Sequence, residues 1–265
     1  MAPKISVVIP VYCVEQYVEK CLETVQKQTL KDIEIITVND CSPDNSQDII
    51  DRLAKDDKRI KSIILETNGG QGFARNEGLR VATGEYVHFL DSDDYLASLN
   101  TYEIFYTRAV RDQADVIRGR VWRKSELQGV KSKLRLSKKE FYFSNDLSSV
   151  TLEHHPELLV ATAVKNILCK RDFLCDNQIV FKLPKWEDFP FSYEALFKAE
   201  RITSIPDFIS VYRKRTGSTT TTSLKLDRDI DLSFQNVQFV MNMLIEHGVS
   251  FEKSQLPLHV RYLLA

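Results

Sequence analysis

The sequence predicts an α/β protein built on a mostly parallel central sheet flanked by helices. Two observations in the first hundred residues lead to this fold class. Near-continuous apolar runs are present, which are typical of strands buried on both faces of a sheet. They alternate with segments whose apolar residues recur at helical spacing. Such alternation of strands and helices gives a parallel sheet with helices on both faces.

The predicted elements follow one another in a regular order. The runs KISVVIPV, IEIITVND, RIKSIIL and EYVHFL predict four strands. Between them, VEQYVEKCLETVQKQ, SPDNSQDIIDRLAKDD and NGGQGFARNEGLRVATG predict three helices, the last of which ends near Gly84. Beyond residue 100 the pattern is less regular, but apolar spacing from Arg228 predicts a helix, and LPLHVRYLLA predicts another. These C-terminal helices are expected to pack on the body of the protein or on a second subunit of a homodimer.

Composition limits the functions that this chain could serve. Its 265 residues include 36 Lys and Arg against 37 Asp and Glu, and the formal net charge of -1 offers no general surface for nucleic acid. The five cysteines are scattered and contain no C-x-x-C pair, which favours unpaired thiols in a reducing compartment. No signal-peptide pattern opens the chain, and no window reaches the roughly 18 apolar residues of a membrane span. We therefore expect a cytoplasmic protein.

A local excess of positive charge interrupts this balance. Between Arg108 and Lys139, eleven Lys or Arg residues stand against three acids. The stretch is either a solvated face or a surface that meets anionic lipid head groups or a phosphate-bearing acceptor. The second interpretation would place the protein peripherally at the inner face of the cell membrane.

The segment EYVHFLDSDDY places three carboxylates directly after the fourth predicted strand. Asp91, Asp93 and Asp94 repel one another at this spacing, so a bound cation is one explanation of their clustering. The alternative is a structural role, in which Asp93 or Asp94 caps a helix that begins near Leu96. An EF-hand is excluded, because its loop would need Gly and Glu where Leu96 and Tyr102 stand.

Other polar residues share the position of these acids at the carboxyl ends of the predicted strands, where ligands of open α/β sheets bind. The residues at these ends are Tyr12, Glu15, Asn39, Asp40, Asn68, Asp91, Ser92 and Asp93. The sequence PVYCVE has no glycine-rich dinucleotide motif, and NGGQG lacks the Gly-Lys-Ser/Thr of a P-loop. If the ligand is a nucleoside diphosphate joined to a sugar, a cation held by Asp93 would stabilise the leaving diphosphate.

Five motifs in order give the sequence a family resemblance. IPVYCVEQYVEKCLETVQKQT, IITVNDCSPDNS, NGGQGFARNEGL, GEYVHFLDSDD and WEDFPF resemble those of a family 2 glycosyltransferase with the GT-A fold, of the bacterial polysaccharide-biosynthesis type. The match is dense over residues 4–95 and thinner to about residue 222. The resemblance implies an inverting enzyme that moves a hexose from a nucleotide sugar, usually UDP-linked, to a saccharide or lipid-linked acceptor. It also implies a divalent metal, Mn2+ or Mg2+, and a role in surface polysaccharide biosynthesis.

Carried over residue by residue, the resemblance implies a role for each matching position. Asp40 would bind the base, and Arg75 would help to hold the nucleotide, whereas Asn76 is expected to be structural. Asp93 would ligate the metal, and Asp91 would reach the ribose or the metal. The strand ends and the resemblance together predict a nucleotide-sugar site that comprises Pro10, Val11, Tyr12, Glu15, Asp40, Asn68, Arg75, Asp91 and Ser92.

The acid pair Glu187 and Asp188 matches the segment that supplies the catalytic base in this family, where the second acid is the usual candidate. Inversion by direct displacement needs a base within reach of the acceptor hydroxyl, opposite the leaving diphosphate. A carboxylate in the second half of the chain suits that task. The alternative for Asp188 is to cap the helix predicted between Phe189 and Lys198. The sequence alone leaves open which acid faces the sugar.

Three positions depart from the pattern of the family. Cys13 stands where Asn is frequent, Asn39 where Asp is common, and Cys41 where Gly is usual. The first two departures are expected to change little. Cys41 narrows the freedom of its turn, because a side chain disfavours positive φ.

The resemblance divides the chain into three parts. Residues 1–100 would form the nucleotide-sugar-binding lobe, residues 101–222 the acceptor-binding lobe of the same GT-A domain, and residues 223–265 a C-terminal helical extension. In the second lobe, the run Arg213 to Arg215 either neutralises the diphosphate or meets the acceptor when a loop closes, or it is a solvated charge run.

Two other functions stay open at this point. One is a nucleotidyltransferase that makes a nucleotide sugar, but PVYCVEQY lacks the glycine-rich basic loop expected after the first strand. The other is a nucleotide-sugar-binding protein without catalysis, against which the complete set of Asp91, Asp93 and Asp188 speaks.

Overall fold

The computed structural model describes residues 2–126, 134–135, 145–159, 163–182, 187–215, 230–246 and 248. Its strands are β1 (Ile5–Val11), β2 (Ile33–Asn39), β3 (Ile60–Ile64), β4 (Tyr86–Phe89), β5 (Tyr95–Leu96), β6 (Val116–Ser125), β7 (Leu134–Arg135), β8 (Leu147–Val150), β9 (Ile167–Lys170) and β10 (Ile202–Lys214). Its α-helices are α1 (Val18–Gln26), α2 (Ser46–Asp56), α3 (Gln71–Val81), α4 (Thr101–Arg111), α5 (Arg171–Asp176), α6 (Asp188–Lys198) and α7 (Ile230–Glu246). Two short 3-10 helices span Pro156–Leu159 and Val164–Asn166.

The described strands form one sheet that is mostly parallel. The strand order is β3, β2, β1, β4, β9, β6, β10 and β5, with β7 paired to β6 and β8 paired to β10. The strands β1 to β4 are mutually parallel, and β6 and β10 run in the same direction, whereas β9 is antiparallel to both of its neighbours. The predicted fold class is confirmed. Because β9 lies between β4 and β6, it joins the two halves of the chain in one sheet.

Alternate residues of β1 face two separate cores. Val8 packs in one core with residues of α3, α5, α6 and α7, whereas Val7 and Ile9 pack in the other with residues of α1, α2 and α4. Every residue of β1 is buried. Burial on both faces explains the near-continuous apolar sequence of the strand. Helices cover both faces of the sheet. The polar residues that follow its parallel strands lie at its carboxyl edge.

The helix predicted to begin near Leu96 is wrong. Tyr95 and Leu96 form β5, which pairs antiparallel with Ser210 and Val211 of β10, and α4 begins only at Thr101. The strand forms because cross-strand pairing with a distant part of the chain outweighs a local helix signal. The acids before β5 therefore do not cap a helix at that point.

The basic stretch after Arg108 is not a uniform solvated face. Arg118 is buried, and its guanidinium donates to the carbonyl oxygen of Leu158 at 2.8 Å. Arg108 forms ion pairs with Asp112 and Asp146. Residues 127–133 and 136–139 of this stretch lie outside the described residues, and so does the second predicted C-terminal helix at residues 256–265.

The first predicted C-terminal helix is confirmed as α7. Its residues Val240, Met243 and Leu244 are buried in the same core as α6. The helix therefore packs on the body of the protein, as one of the two predicted alternatives had it. Among the described residues, no helix has both the length and the apolar character that crossing a membrane would require.

Candidate active site

The carboxyl ends of β2 and β3 meet at a glycine-rich turn that Asp40 holds in place. The two carboxylate oxygens of Asp40 accept hydrogen bonds from the backbone N–H groups of Gly69 and Gly70, each at 2.8 Å. Asn68 donates from its side-chain amide to the carbonyl oxygen of Asp40 at 3.1 Å. Asp40 is buried. The predicted base-binding acid thus anchors the turn that leads into α3.

The residues of the predicted nucleoside loop have unequal access to a ligand. Pro10 and Val11 are the last residues of β1 and are buried, whereas the ring of Tyr12 is half exposed. Glu15 accepts hydrogen bonds from the backbone and side-chain amides of Asn45, at 3.0 and 2.9 Å, and so holds the start of α2. Tyr12 is therefore the member of this loop with the most surface to offer.

Two cysteines at these strand ends adopt a left-handed backbone conformation. The φ angle is 52° at Cys13 and 56° at Cys41, and both thiols are exposed. The prediction that a side chain at position 41 constrains its turn agrees with this angle, since positive φ disfavours residues other than glycine. Cys13 carries the same constraint, which the sequence analysis missed. All five cysteines are free, as predicted.

The turn after β4 brings Asp91 into a set of charged partners. Its carboxylate accepts hydrogen bonds from Arg75 and Lys165, both at 2.7 Å, and from the amide of Gln71 at 3.1 Å. Burial by itself would raise the pKa of this carboxyl, but Lys165 and Arg75 outweigh burial and hold its pKa below the ordinary value. The neighbouring Ser92 is buried. Asp91 is thus a fixed, ionised anchor.

Asp94 is equally enclosed. Its side chain is fully buried and accepts hydrogen bonds from the Lys165 ammonium at 3.0 Å and from the backbone N–H of Arg213 at 2.8 Å. Burial raises the pKa of Asp94 to about 7; Lys165 opposes that rise, and the charges of Asp91 and Asp93 add to it. Through these contacts the Asp-rich turn is fixed to β10.

Asp93 has the fewest protein partners of the three acids. One of its oxygens accepts from the Arg215 guanidinium at 2.8 Å, and the described residues offer its other oxygen no hydrogen bond. Oxygens of Asp91, Asp93 and Asp94 lie within 4.8 Å of one another. Carboxylate oxygens are the ligands that Mg2+ and Mn2+ prefer, so the donor set fits the predicted metal. The carboxylate oxygen of Asp93 that does not bond Arg215 is the one available for a metal ion.

The acid pair at the start of α6 divides in the same way. Glu187 is buried and accepts a hydrogen bond from Arg75 at 2.6 Å, so that one guanidinium joins it to Asp91. Asp188 is the first residue of α6, and no side-chain hydrogen bond caps this helix among the described residues. Nor do those residues give the Asp188 carboxylate an ion pair within 4 Å. Burial raises the pKa of Asp188, although Arg75 and Lys165 act against that rise.

The basic run at the end of β10 reaches the site. Arg213 is buried, and its guanidinium stacks on the rings of Tyr17 and Tyr95 at 5.4 and 4.8 Å. Arg215 bonds Asp93, whereas Lys214 is exposed. The side chain of Arg215 therefore faces the acids and that of Arg213 is buried, so these two residues do not form a solvated charge run. Residues 216–229 lie outside the described part of the chain.

Sequence reasoning missed two site residues, Gln71 and Lys165. Gln71 is the first residue of α3 and follows the two glycines directly. From this position, its location at the carboxyl edge of the sheet could have been inferred. Lys165 lies in AVKN, which has no motif, and its contact with Asp91 joins residues 74 positions apart. The role predicted for Asn76 is confirmed, because its side chain pairs with both backbone groups of Phe181.

Comparison with known proteins gives consistent results. A family model described as Glycosyl transferase family 2 matches residues 6–165. The uncharacterized glycosyltransferase EpsJ of Bacillus subtilis is 32% identical over 241 residues, which cover 89% of this chain and 68% of EpsJ. The poly(ribitol-phosphate) beta-glucosyltransferase of Bacillus spizizenii is 34% identical over 221 residues, 81% of this chain and 33% of that protein.

A solved structure matches almost the whole chain. The structure of S. aureus TarS 1-349 in complex with UDP-GlcNAc superposes with a TM-score of 0.77 at 25% sequence identity. The match covers 98% of this chain and 71% of the TarS chain.

Proposed function

Because the chain belongs to glycosyl transferase family 2, we propose that it is an inverting, metal-dependent hexosyltransferase. Its donor would be a UDP-linked sugar, and its acceptor a saccharide or lipid-linked saccharide in the synthesis of a surface polysaccharide.

One contact carries this proposal. The buried guanidinium of Arg75 bonds Asp91 at 2.7 Å and Glu187 at 2.6 Å, and so joins the acids after β4 to the acids that begin α6. An inverting transferase needs both groups in one site, since one handles the leaving diphosphate and the other the acceptor proton. The bridge supports a single catalytic site with Asp93 and Asp188 as its available carboxylates.

The proposed reaction is a direct displacement. The oxygen of the acceptor hydroxyl attacks the anomeric carbon of the donor sugar and forms the new glycosidic bond. The bond from that carbon to the diphosphate oxygen breaks, and its electron pair leaves with the diphosphate. The proton of the hydroxyl passes to Asp188, whose raised pKa makes it a stronger base than an exposed aspartate.

Asp93 is the residue proposed to hold Mn2+ or Mg2+. When bound, a divalent ion supplies positive charge beside the leaving diphosphate. Arg213 and Arg215 lie at the same edge of the sheet and would add positive charge near the diphosphate. Asp40 is proposed to contact the nucleobase. The uracil would then share a carboxylate that already holds the turn of Gly69 and Gly70.

Two comparisons support the choice of substrates. The complex of TarS with UDP-GlcNAc supports a UDP-linked donor, and the name of the Bacillus spizizenii relative supports a hexose and a polymeric acceptor. A cytoplasmic location, a peripheral membrane contact and a homodimer through the C-terminal helices stay predictions, as do the three parts into which the chain was divided.

A turnover assay tests the function. Nucleotide release is measured from UDP-Glc, UDP-Gal, UDP-GlcNAc, UDP-GalNAc and GDP-Man, with Mn2+, with Mg2+ and with EDTA. We expect metal-dependent release of UDP from at least one UDP-sugar. Binding of UDP without turnover of any donor would favour the inactive binding protein, and turnover undiminished in EDTA would remove the metal from the mechanism.

A further inference from the structure

Lys165 is a mostly buried cation held between the acidic turn after β4 and the strand β10. It lies in the 3-10 helix Val164–Asn166, and only 15% of its side chain is exposed. Its ammonium group sits 4.3 Å from the centre of the Tyr212 ring. Its carbonyl oxygen accepts a hydrogen bond from the Ser210 hydroxyl at 3.3 Å. Lys165 is thus fixed at both its backbone and its charged end.

Lys165 completes the hydrogen bonding of two carboxylates. Its ammonium donates to Oδ2 of Asp91 at 2.7 Å and to Oδ2 of Asp94 at 3.0 Å. The remaining oxygens, Oδ1 of each residue, already accept from Arg75 and from the Arg213 amide. All four oxygens of Asp91 and Asp94 therefore bond the protein itself.

This arrangement bears on how the acids would share a metal. Three carboxylates whose oxygens lie within 4.8 Å would together attract a divalent cation strongly, since affinity rises with the number of charged ligands. A protein cation already lies against two of them. Of the three acids, only Asp93 keeps an oxygen without a hydrogen bond among the described residues.

We infer that Lys165 is a positioning residue that reserves Asp91 and Asp94 for the protein and leaves Asp93 as the carboxylate ligand of the metal. The inference rests on the proposed function. With one carboxylate available, the free enzyme binds the metal weakly, and the diphosphate of the donor and water supply the remaining ligands. Binding of the metal would then be coupled to binding of the donor diphosphate.

The test replaces Lys165 by Met and measures Mn2+ binding to the enzyme without nucleotide, from the electron paramagnetic resonance signal of free Mn2+. Loss of the ammonium group frees one oxygen on each of two carboxylates. We expect Lys165→Met to bind Mn2+ about tenfold or more tightly than the wild type, because affinity follows the charge of the ligand set. Its melting temperature should also rise more on addition of Mn2+ than that of the wild type.

Lys182→Met is the matched control. Lys182 donates to both oxygens of the buried Glu194, at 2.8 and 2.7 Å, and these residues are not among the acids of the site. Removal of this ammonium also breaks a contact with a buried acid, although Lys198 still bonds Glu194 at 2.9 Å. Its Mn2+ affinity should equal that of the wild type. Lys165→Arg, which keeps the charge, should lie closer to the wild type than Lys165→Met does.

The outcomes separate this inference from the proposed function. Mn2+ affinity of Lys165→Met that is unchanged or weaker would overturn the role of Lys165, even if the wild type transfers sugar with Mn2+. A Lys165→Met protein that folds only when Mn2+ is present would support it, and one that stays unfolded with Mn2+ would count against it. Metal-independent transfer by the wild type would refute the metal dependence of the proposed function instead, and absence of transfer would refute the function itself; the binding test uses no substrate and does not depend on either result.

Discussion

The two acidic segments of the site, the turn after β4 and the start of α6, show the same contrast between acids held by protein partners and one acid with few partners. In the turn after β4, Asp91 and Asp94 are enclosed by basic groups and backbone amides, whereas Asp93 keeps one oxygen free of the described residues. At the start of α6, Glu187 is bonded to an arginine, whereas Asp188 has no such partner among the described residues. The first segment thus contains two fixed acids and one available acid, and the second contains one of each.

This comparison indicates what the fixed acids do. Arg75 is a buried cation and Lys165 a mostly buried one; both bond the fixed acids, and Arg75 contacts both segments. A buried charge is stable only with a partner, so each fixed acid and its cation hold the other in position. Asp188 then has no ion pair within 4 Å among the described residues, and Asp93 pairs through one oxygen with Arg215 and keeps the other. The account predicts that substitutions of fixed and available acids differ in kind.

The largest expected effect is on catalysis at Asp188. Asp188→Asn keeps the size of the side chain and removes its basicity, so the transfer rate should fall about 100- to 10,000-fold. Binding of UDP with Mn2+ and the melting temperature should stay near the wild-type values. If Asp188 acts only as a helix cap, Asn serves almost as well and transfer should persist. Single-turnover transfer and calorimetry measure these two properties.

Glu187→Gln is the partner of that experiment. Glu187 and Arg75 are both buried, so loss of the charge should cost about 1–3 kcal/mol in the free energy of unfolding. Its transfer rate should fall less than that of Asp188→Asn. Transfer that survives Asp188→Asn and fails with Glu187→Gln would move the base to Glu187 and reverse the comparison.

His88, which lies beneath the site, should make the stability of the protein depend on pH. Its ring is fully buried, and its nitrogens contact the Tyr102 hydroxyl and the carbonyl oxygen of Lys165. Burial lowers the pKa of His88 to about 4, and the Lys165 carbonyl and the Asp91 charge act against this shift. Between its ordinary pKa of 6.5 and pH 4, the unfolded chain binds a proton that the folded protein does not. The contribution of His88 to the free energy of unfolding should therefore fall by about 3 kcal/mol as the pH decreases across this range.

The variant His88→Gln can retain both hydrogen bonds without titrating. Its loss of stability between pH 6.5 and 4 should be smaller than that of the wild type, whatever its stability at neutral pH. Denaturant melts at several pH values supply the comparison. If the free energy of unfolding depends on pH equally in the two proteins, His88 is not responsible for the loss of stability at acid pH.

Asp40 is a fixed acid at the proposed nucleotide-binding side of the site, and its substitution should affect both binding and folding. An Asn has one acceptor oxygen, so Asp40→Asn leaves the N–H of Gly69 or Gly70 without its partner. We expect UDP affinity to weaken by about 1–3 kcal/mol together with a lower melting temperature. Unchanged UDP affinity in calorimetry would remove Asp40 from the binding of the base.

The smallest expected effect concerns the backbone at Cys41. With φ at 56°, Cys41→Gly should relieve a strained conformation and change the free energy of unfolding by no more than about 1 kcal/mol in favour of the folded state. Cys175 is also exposed but lies in α5, so Cys175→Gly should destabilise the protein by about 0.3–0.5 kcal/mol. Denaturant melts should show changes in the free energy of unfolding of opposite sign for the two variants. Changes of the same sign would contradict a strained backbone at Cys41.

Local sequence patterns predicted the part of the fold that local physics determines. The first four strands and three helices appear in the predicted order, because two-sided burial of strands and one-sided burial of helices leave different apolar periods. The strand β9 and the two-residue strand β5 were missed, since each depends on pairing with a part of the chain more than seventy residues away.

The motif residues of the site could be found from the sequence, but their division of labour could not. The order of the motifs located Asp93 and Asp188 together with their fixed neighbours. Which acid is fixed depends on Arg75 and Lys165, whose contacts with Glu187 and Asp91 span 112 and 74 residues. Such contacts leave no periodic or spacing signal in the chain.

The most direct test of this division of labour is the dependence of UDP affinity on Mn2+ in two neighbouring variants. Calorimetry is carried out on Asp93→Asn and Asp94→Asn, with and without Mn2+, on protein whose near-ultraviolet circular dichroism matches the wild type. The account predicts that Asp93→Asn loses about tenfold or more of the Mn2+-dependent gain in UDP affinity. Asp94→Asn should keep that gain and show a lower melting temperature. Loss of the gain in Asp94→Asn with its retention in Asp93→Asn would contradict the assignment of fixed and available acids.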